Sequence, residues 1–302
     1  VTAGADGARL SGHSFNGRYE ALKGEVDAYL SGNLPSFEAE GHKLLGEAMR
    51  YSALAGGKRI RGVLALAVRD LLAEDCLAAR GAIIHIAGAI EYIHAYSLIH
   101  DDMPCMDDDD FRRGKPSCHK VYGEGMAMLA GDALLNLAFE ILLDKACELA
   151  PQALSARFVS ASALIARAAG ACGMAGGQAI DLGATFTDEA RLDHMHRLKT
   201  GRLFGAAVLA PAVCMGAGED EYSALRSYSE AIGQAFQVRD DLSDAEGEEG
   251  TDDRLNYAAM FGADRAREKL AAACDEAVGS LGRFSGRADF LRQIAHFIAE
   301  GP

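Results

Sequence analysis

The sequence predicts an all-α protein, one large helical bundle of about ten helices. Three observations carry that expectation. Apolar residues recur at helical spacing through nearly the whole chain. No stretch sustains the two-residue alternation of β-branched residues that marks a strand, and no Asn-Gly pair joins two such stretches. Only six prolines fall in 302 residues, which leaves long stretches free of the residue that breaks a helical ladder.

In chain order, helices are expected over about 17–31, 37–54, 58–74, 78–100, 118–144, 151–173, 188–215, 219–243, 255–280 and 287–299. The third opens on Gly56-Gly57-Lys58-Arg59-Ile60-Arg61, and a helix there would set Lys58 and Arg61 three residues apart on one face. The fourth is apolar on nearly every side from Gly81 to His100, as is Ala206–Val213 in the seventh. Helices of that kind belong at the centre of a bundle. The sixth runs into the small residues of Ala168–Gly177, where Gly176-Gly177 suggests a bend or a close contact. Clusters of Gly, Pro or Asp separate the elements. No repeat and no low-complexity linker divides the chain, so one domain over 17–302 is expected, after a flexible segment over 1–16.

Charge and composition narrow the function. Thirty basic against 44 acidic side chains give a formal charge of −14, which argues against a nucleic-acid partner. The seven cysteines (Cys76, Cys105, Cys118, Cys147, Cys172, Cys214 and Cys274) form no Cys-x-x-Cys pair. That pattern fits a reducing, cytoplasmic setting better than a disulfide framework or a structural zinc site. Cys118-His119 beside an acidic run reads as a pair of ordinary loop residues rather than as zinc ligands. Residues 1–20 show no basic start followed by an apolar stretch. The longest uncharged run, Leu203–Gly218, is shorter than the ~20 residues of a membrane span, so no membrane span is expected.

Two acidic clusters are the strongest feature. The first, His100-Asp101-Asp102-Met103-Pro104-Cys105-Met106-Asp107-Asp108-Asp109-Asp110, precedes Phe111-Arg112-Arg113-Gly114-Lys115-Pro116. The second is Phe236-Gln237-Val238-Arg239-Asp240-Asp241-Leu242-Ser243-Asp244. Each follows an apolar helical stretch. Carboxylates at a helix C-terminus meet its partial negative charge and repel one another. A solvated acidic loop is the ordinary reading of one such run, but two in the same setting suggest a divalent cation. Oxygen ligands without Cys or His suit Mg²⁺, Mn²⁺ or Ca²⁺, and the Ca²⁺-loop spacing is missing. Mg²⁺ favours one or two carboxylates plus phosphate oxygens, so a diphosphate clamped by metals between the clusters is the physical reading. Lys58 with Arg61, Arg112 with Arg113, and Lys199 near Arg202 would supply a second phosphate site without metal. No Ser-His-Asp set, dinucleotide loop or nucleotide-binding Gly-Lys-Ser/Thr motif occurs.

These motifs, together with His94-Ala95-Tyr96-Ser97-Leu98-Ile99-His100-Asp101-Asp102, Gly176-Gly177-Gln178 and Lys199-Thr200-Gly201, give the chain its likeness to a known family. From about Tyr19 onward it resembles the trans-isoprenyl diphosphate synthases (polyprenyl synthetases), above all their bacterial farnesyl-forming branch. The first motif has the form Asp-Asp-x4-Asp. The resemblance implies a helical bundle around a central apolar cavity. It also implies a head-to-tail condensation: an allylic diphosphate (dimethylallyl or geranyl) ionises with Mg²⁺ assistance, the double bond of isopentenyl diphosphate attacks, and a proton is lost. Farnesyl diphosphate is the expected product, with geranylgeranyl or geranyl diphosphate, or a catalytically impaired regulatory homologue, as alternatives. A terpene cyclase is disfavoured because both motifs are Asp-rich.

By the same resemblance Asp101, Asp107 and Asp240 lead the metal ligands, with Asp102, Asp241 and Asp244 close by, and several Mg²⁺ ions (or Mn²⁺) per site. Arg112, Lys199 and Gln237 would hold the allylic diphosphate. Lys58, Arg61, His94 and Arg113 would hold isopentenyl diphosphate, with Gly57 and Phe236 in the substrate-binding set. Thr200 and Gln237 would offer dipoles to the cation. Asp101, Asp107, Lys199 and Asp240 are the expected catalytic set. Tyr96 and Ser97, just upstream of Asp101, would set chain length. Tyr96 lies about one and a half helical turns away, near 7.5 Å of rise, and its other reading is a plain core residue. A homodimer is expected. One departure stands out. After Asp244 the family carries a Gly-rich loop with lysines and then Lys-Ser/Thr-Tyr-Pro. Here a shorter stretch, Ala245 to Tyr257, follows, and no Lys occurs between 200 and 268. Either a real deletion or a segment missing from this sequence accounts for it.

Overall fold

The computed structural model describes residues 14–37, 40–72, 77–150, 153–183, 188–246 and 256–301. Their architecture is all-α. The first helices are α1 (Phe15–Asn33), α2 (Glu40–Ala53), α3 (Ile60–Leu71), α4 (Leu77–Arg80) and α5 (Ile83–Asp101). After a short loop come α6 (Cys118–Tyr122), α7 (Glu124–Glu148), α8 (Ala153–Ala169), α9 (Met174–Gly183) and α10 (Glu189–His196). A π-helical turn over Arg197–Gly201 joins α10 to α11 (Arg202–Met215). The chain ends in α12 (Glu219–Glu246), α13 (Tyr257–Phe261), α14 (Ala263–Ser280), a 3₁₀ stretch over Gly282–Ala288, and α15 (Asp289–Glu300).

The expected helices are present, and the differences have local causes. The stretch over 118–144 divides at Gly123, and that over 255–280 at Gly262. Both glycines adopt positive φ (81° and 87°), which only glycine does at little cost. The fourth divides ahead of α5, around Gly81. Ser14 caps α1 by accepting from the Gly17 amide at 3.3 Å, so residues 14–16 belong to the helical body. The rest of the segment expected to be flexible, 1–13, lies outside the described residues, as does 247–255 in the shortened stretch. The small-residue region holds a helix of its own, α9. The third helix begins only at Ile60 because Arg59 is left-handed (φ 51°). Lys58 therefore lies ahead of the helix and does not share a helical face with Arg61. One short β pair also forms, Phe111–Arg112 (β1) against Lys115–Pro116 (β2), antiparallel across a two-residue turn. Arg113 and Gly114 both have positive φ in that turn, as a tight hairpin requires.

The centre of the molecule is α5 and α11. They touch each other, and α3 touches both. Around them lie α7 on the α5 side and α8 and α12 on the α11 side, with α14 outside α12. Ile83, Ile86, Ile90, Tyr92 and Ile93 of α5, and Leu203, Phe204, Ala207 and Val208 of α11, are all buried. This is the arrangement that helices apolar all round require. The helical stretches over 124–148, 153–183 and 189–215 are each long and apolar enough to cross a membrane by length and composition. The expectation of no such stretch counted only uncharged runs, and these helices carry a few charges.

Candidate active site

The C-terminal end of α5, the loop that follows it, α9, the π turn and the last three turns of α12 line one cavity of about 630 Å³. Its wall includes Arg61, His94, Tyr96, Ser97, Asp101, Arg112, Arg113, Lys199, Thr200, Phe236 and Asp240. Eleven residues singled out in five separated stretches of sequence thus face one space. Both acidic clusters contribute to it.

The two Asp-Asp pairs share a pattern. The first Asp of each pair faces the cavity and the second turns inward. Asp102 is buried, and its Oδ1 accepts from Arg112 Nε at 2.8 Å and from Nη2. Arg112 Nη2 also donates to Asp109 Oδ2 at 2.8 Å. Asp241 is buried with both oxygens engaged: Oδ1 accepts from Gln237 Nε2 at 2.9 Å, and Oδ2 from the Tyr257 amide at 2.8 Å. Gln237 Oε1 in turn accepts from the Thr200 hydroxyl at 2.6 Å. Gln237 itself stands on the far side of α12, against a second cavity of about 980 Å³.

The cavity-facing carboxyls hold their protons unusually well. Burial lifts Asp101 to about 6, with Lys199 opposing and Asp107 reinforcing the rise. Burial lifts Asp240 to about 7, with Lys58 and Arg61 opposing and Asp244 reinforcing. Asp107 is tied to Asp101 through its amide, which donates to the Asp101 carbonyl at 2.9 Å. Asp244 is exposed one helical turn beyond Asp240. α12 continues to Glu246, so its Asp pair precedes the helix end by more than a turn instead of sitting on it.

The cations have equally specific supports. Arg61 is buried, with its guanidinium 4.5 Å from the centre of the Phe204 ring and 5.6 Å from that of Phe236. Desolvation lowers it to about 10, and Glu91 and Asp240 oppose the fall. Burial and the nearby Arg61 and Arg113 hold His94 well below the usual imidazole range, so it is neutral. Arg113 folds back over Gly57, donating to the Gly56 carbonyl, and a Cβ at 57 would stand 2.7 Å from its Cζ. Gly57 and Lys58 do not line this cavity but a separate recess of about 280 Å³. Lys199 Nζ donates to Asp181 Oδ2 at 2.5 Å. Its backbone meets Gly177 so closely that a Cβ there would overlap the Lys199 amide nitrogen.

Several residues of this site escape sequence reasoning. Asp181 pairs with Lys199 across 18 residues. Glu91, 2% exposed, accepts from the Gly62 amide at 2.8 Å and lies 3.7 Å from Arg59. Gln178 lines the cavity with both amide atoms buried and unpartnered. Only the Gly-Gly-Gln motif hinted at Gln178, and nothing hinted at the two acids.

A cavity in an α-helical bundle lined by two carboxylates and four cations is suited to an anionic ligand, and comparison with known proteins gives the family. Residues 42–273 match the polyprenyl synthetase family. The chain is 40% identical over 278 residues to the farnesyl diphosphate synthase of Geobacillus stearothermophilus, covering 87% of this chain and 89% of that protein. It is 42% identical over 248 residues to the farnesyl diphosphate synthase of Escherichia coli (strain K12), covering 78% and 81%. Over 272 residues it is also 42% identical to geranylgeranyl pyrophosphate synthase 3, chloroplastic, of Arabidopsis thaliana, covering 84% and 73%. The fold matches the crystal structure of an FPP/GFPP synthase from Zymomonas mobilis with a TM-score of 0.84 at 39% identity, covering 94% of this chain and 98% of that one. The chain belongs to the polyprenyl synthetase family.

Proposed function

We propose that this chain is a Mg²⁺-dependent prenyltransferase that condenses isopentenyl diphosphate with dimethylallyl and geranyl diphosphates to give farnesyl diphosphate. The observation that carries the reading is that Asp101 and Asp240, from helices far apart in sequence, face one cavity beside Lys199, Arg112, Arg113 and Arg61. The donor set fits the metal. It is all carboxylate oxygen, and burial, reinforced by neighbouring carboxylates, raises Asp101 and Asp240 in a way that a bound divalent cation would offset. Asp101, Asp107, Asp240 and Asp244 would hold it, while Asp102 and Asp241 position their neighbours. When bound, Mg²⁺ supplies Lewis-acid stabilisation of the charge on the departing diphosphate.

The rest falls to the chain's own groups. Lys199 and Arg112 orient the allylic diphosphate and share its charge. Arg61, Arg113 and Lys58, beside a neutral His94, make the cationic ground for isopentenyl diphosphate. Placing the two substrates side by side turns an encounter into an intramolecular step. Thr200 spends its proton on Gln237, so its oxygen lone pairs remain for a developing carbocation. Leu98, Met174, Ala179, Leu182 and Phe236 in the wall keep water from that cation. Tyr96 limits the length of the product.

Incubation with isopentenyl diphosphate, Mg²⁺ and each of dimethylallyl, geranyl and farnesyl diphosphates tests the reading. The expected result is a fifteen-carbon product from the first two. Release of diphosphate without isopentenyl diphosphate, giving cyclic hydrocarbons, overturns it. One observation favours a second reading, a catalytically impaired homologue: no Lys occurs between 200 and 268. Tight substrate binding without turnover is its signature. A cytoplasmic location and a homodimer complete the proposal. None of the six described cysteines forms a disulfide, and α7 exposes an apolar face of the kind that a second copy covers.

A further inference from the structure

His119 lies on α6 and is only 6% exposed. Ser117 Oγ lies 3.1 Å from His119 Nδ1 and 3.3 Å from the Asp110 carbonyl oxygen. Nδ1 is thus engaged by the hydroxyl. Nε2 is buried and has no hydrogen-bond partner. A buried ring nitrogen left without a partner is costly unless something occupies it. Two carboxylates are at hand. One oxygen each of Asp108 and Asp110 and a ring nitrogen of His119 all lie within 4.8 Å of one another. None of the three residues lines the cavity that Asp101 and Asp240 share.

We propose that Asp108, Asp110 and His119 form a separate transition-metal site. One imidazole nitrogen with two carboxylates, completed by water, suits Zn²⁺, Co²⁺ or Mn²⁺ over Mg²⁺. Lys120 Nζ donates to Asp110 Oδ1 at 2.6 Å and must yield that oxygen or leave the metal the other. Asp109, held between the two acids, pairs with Arg112. A metal here would therefore staple the loop that carries Asp107 and Arg112, a structural role next to the reaction centre. Cys118 takes no part in the group.

The inference does not depend on the reading of the main cavity, and the test keeps the two apart. The full chain carrying Asp101→Asn and Asp240→Asn is titrated with Co²⁺ in excess Mg²⁺. Bound metal is counted by equilibrium dialysis, and imidazole ligation is read from the visible Co²⁺ spectrum. One Co²⁺ per chain is expected. His119→Gln and, separately, Asp108→Asn should each weaken it at least tenfold, with unchanged circular dichroism. Asp108 is exposed, so its variant decides the matter if the histidine variant does not fold. Failure to retain Co²⁺ against Mg²⁺, or undiminished binding in the Asp108 variant, overturns the proposal.

Discussion

Asp101 and Asp240 act against the fold that holds them. An unfolded Asp titrates near 3.9, whereas these two titrate at about 6 and about 7. The metal-free fold therefore carries a penalty that is full above about pH 7, where Asp240 is ionised in both states. It fades as pH falls towards about 3.9, because the folded chain takes up its protons first. Removing the charge should relieve it. Asp101→Asn and Asp240→Asn are each expected to melt higher than the parent at pH 8 without metal. The gap should shrink towards pH 5, and turnover should drop by orders of magnitude. Thermal melts across pH and steady-state rates check both halves; a lower melting point at pH 8 would contradict the burial argument. At Tyr96 the expectation concerns product instead. Its ring stands in the cavity wall, edge-on to His100 at 5.7 Å between ring centres. Tyr96→Ala deepens the apolar end of the cavity and should lengthen the product by one or more five-carbon units, read by chromatography. An unchanged product would make Tyr96 merely a packed residue.

The elements that place these residues depend on close approaches. One is between α9 and the π turn, where Gly177 leaves no room for a side chain beside the Lys199 backbone. Gly177→Ala must push α9 off the turn and carry the Lys199–Asp181 pair with it. Overpacking of this kind costs about 1–3 kcal/mol, and turnover should fall further than stability alone explains, as denaturant titration and kinetics would show. A close contact at Gly176-Gly177 is legible in the sequence, but the Lys199 backbone as its partner is not. Long helices such as α5 and α12 announce themselves by periodicity. The π turn differs from its neighbours by a single backbone register shift inside an unbroken apolar pattern, so nothing in residue spacing reveals it. Likewise α9 is built from small residues that carry little periodic signal, and β1 and β2 hold two residues each. The Asp pairs were legible because spacing alone puts them near helix ends. The inward turn of Asp102 and Asp241 was not, because it is decided by Arg112 and by the Tyr257 amide, partners that only tertiary contact supplies.

At the scale of the whole molecule, α7 poses a packing problem. By length and composition it could cross a membrane, yet less than half of its most apolar stretch is covered within one chain. Met128, Leu129 and Leu143 are 48%, 54% and 64% exposed. On a helix of 3.6 residues per turn, Met128, Leu135, Phe139 and Leu143 fall along one side. Asp132, Glu140 and Asp144 stand exposed among them. Those carboxylates are costly in a bilayer and ordinary at the wet rim of a protein interface. A second copy of the chain is thus the better cover. Leu143→Glu with Met128→Glu adds charge to the middle of that face without touching the cavity wall. The pair should convert a dimer to a monomer in sedimentation velocity and leave the helical spectrum intact. Because α7 lies directly against α5, which delivers His94, Tyr96 and Asp101, loss of the partner should also loosen the site and lower turnover. A variant that stays dimeric would place the interface elsewhere.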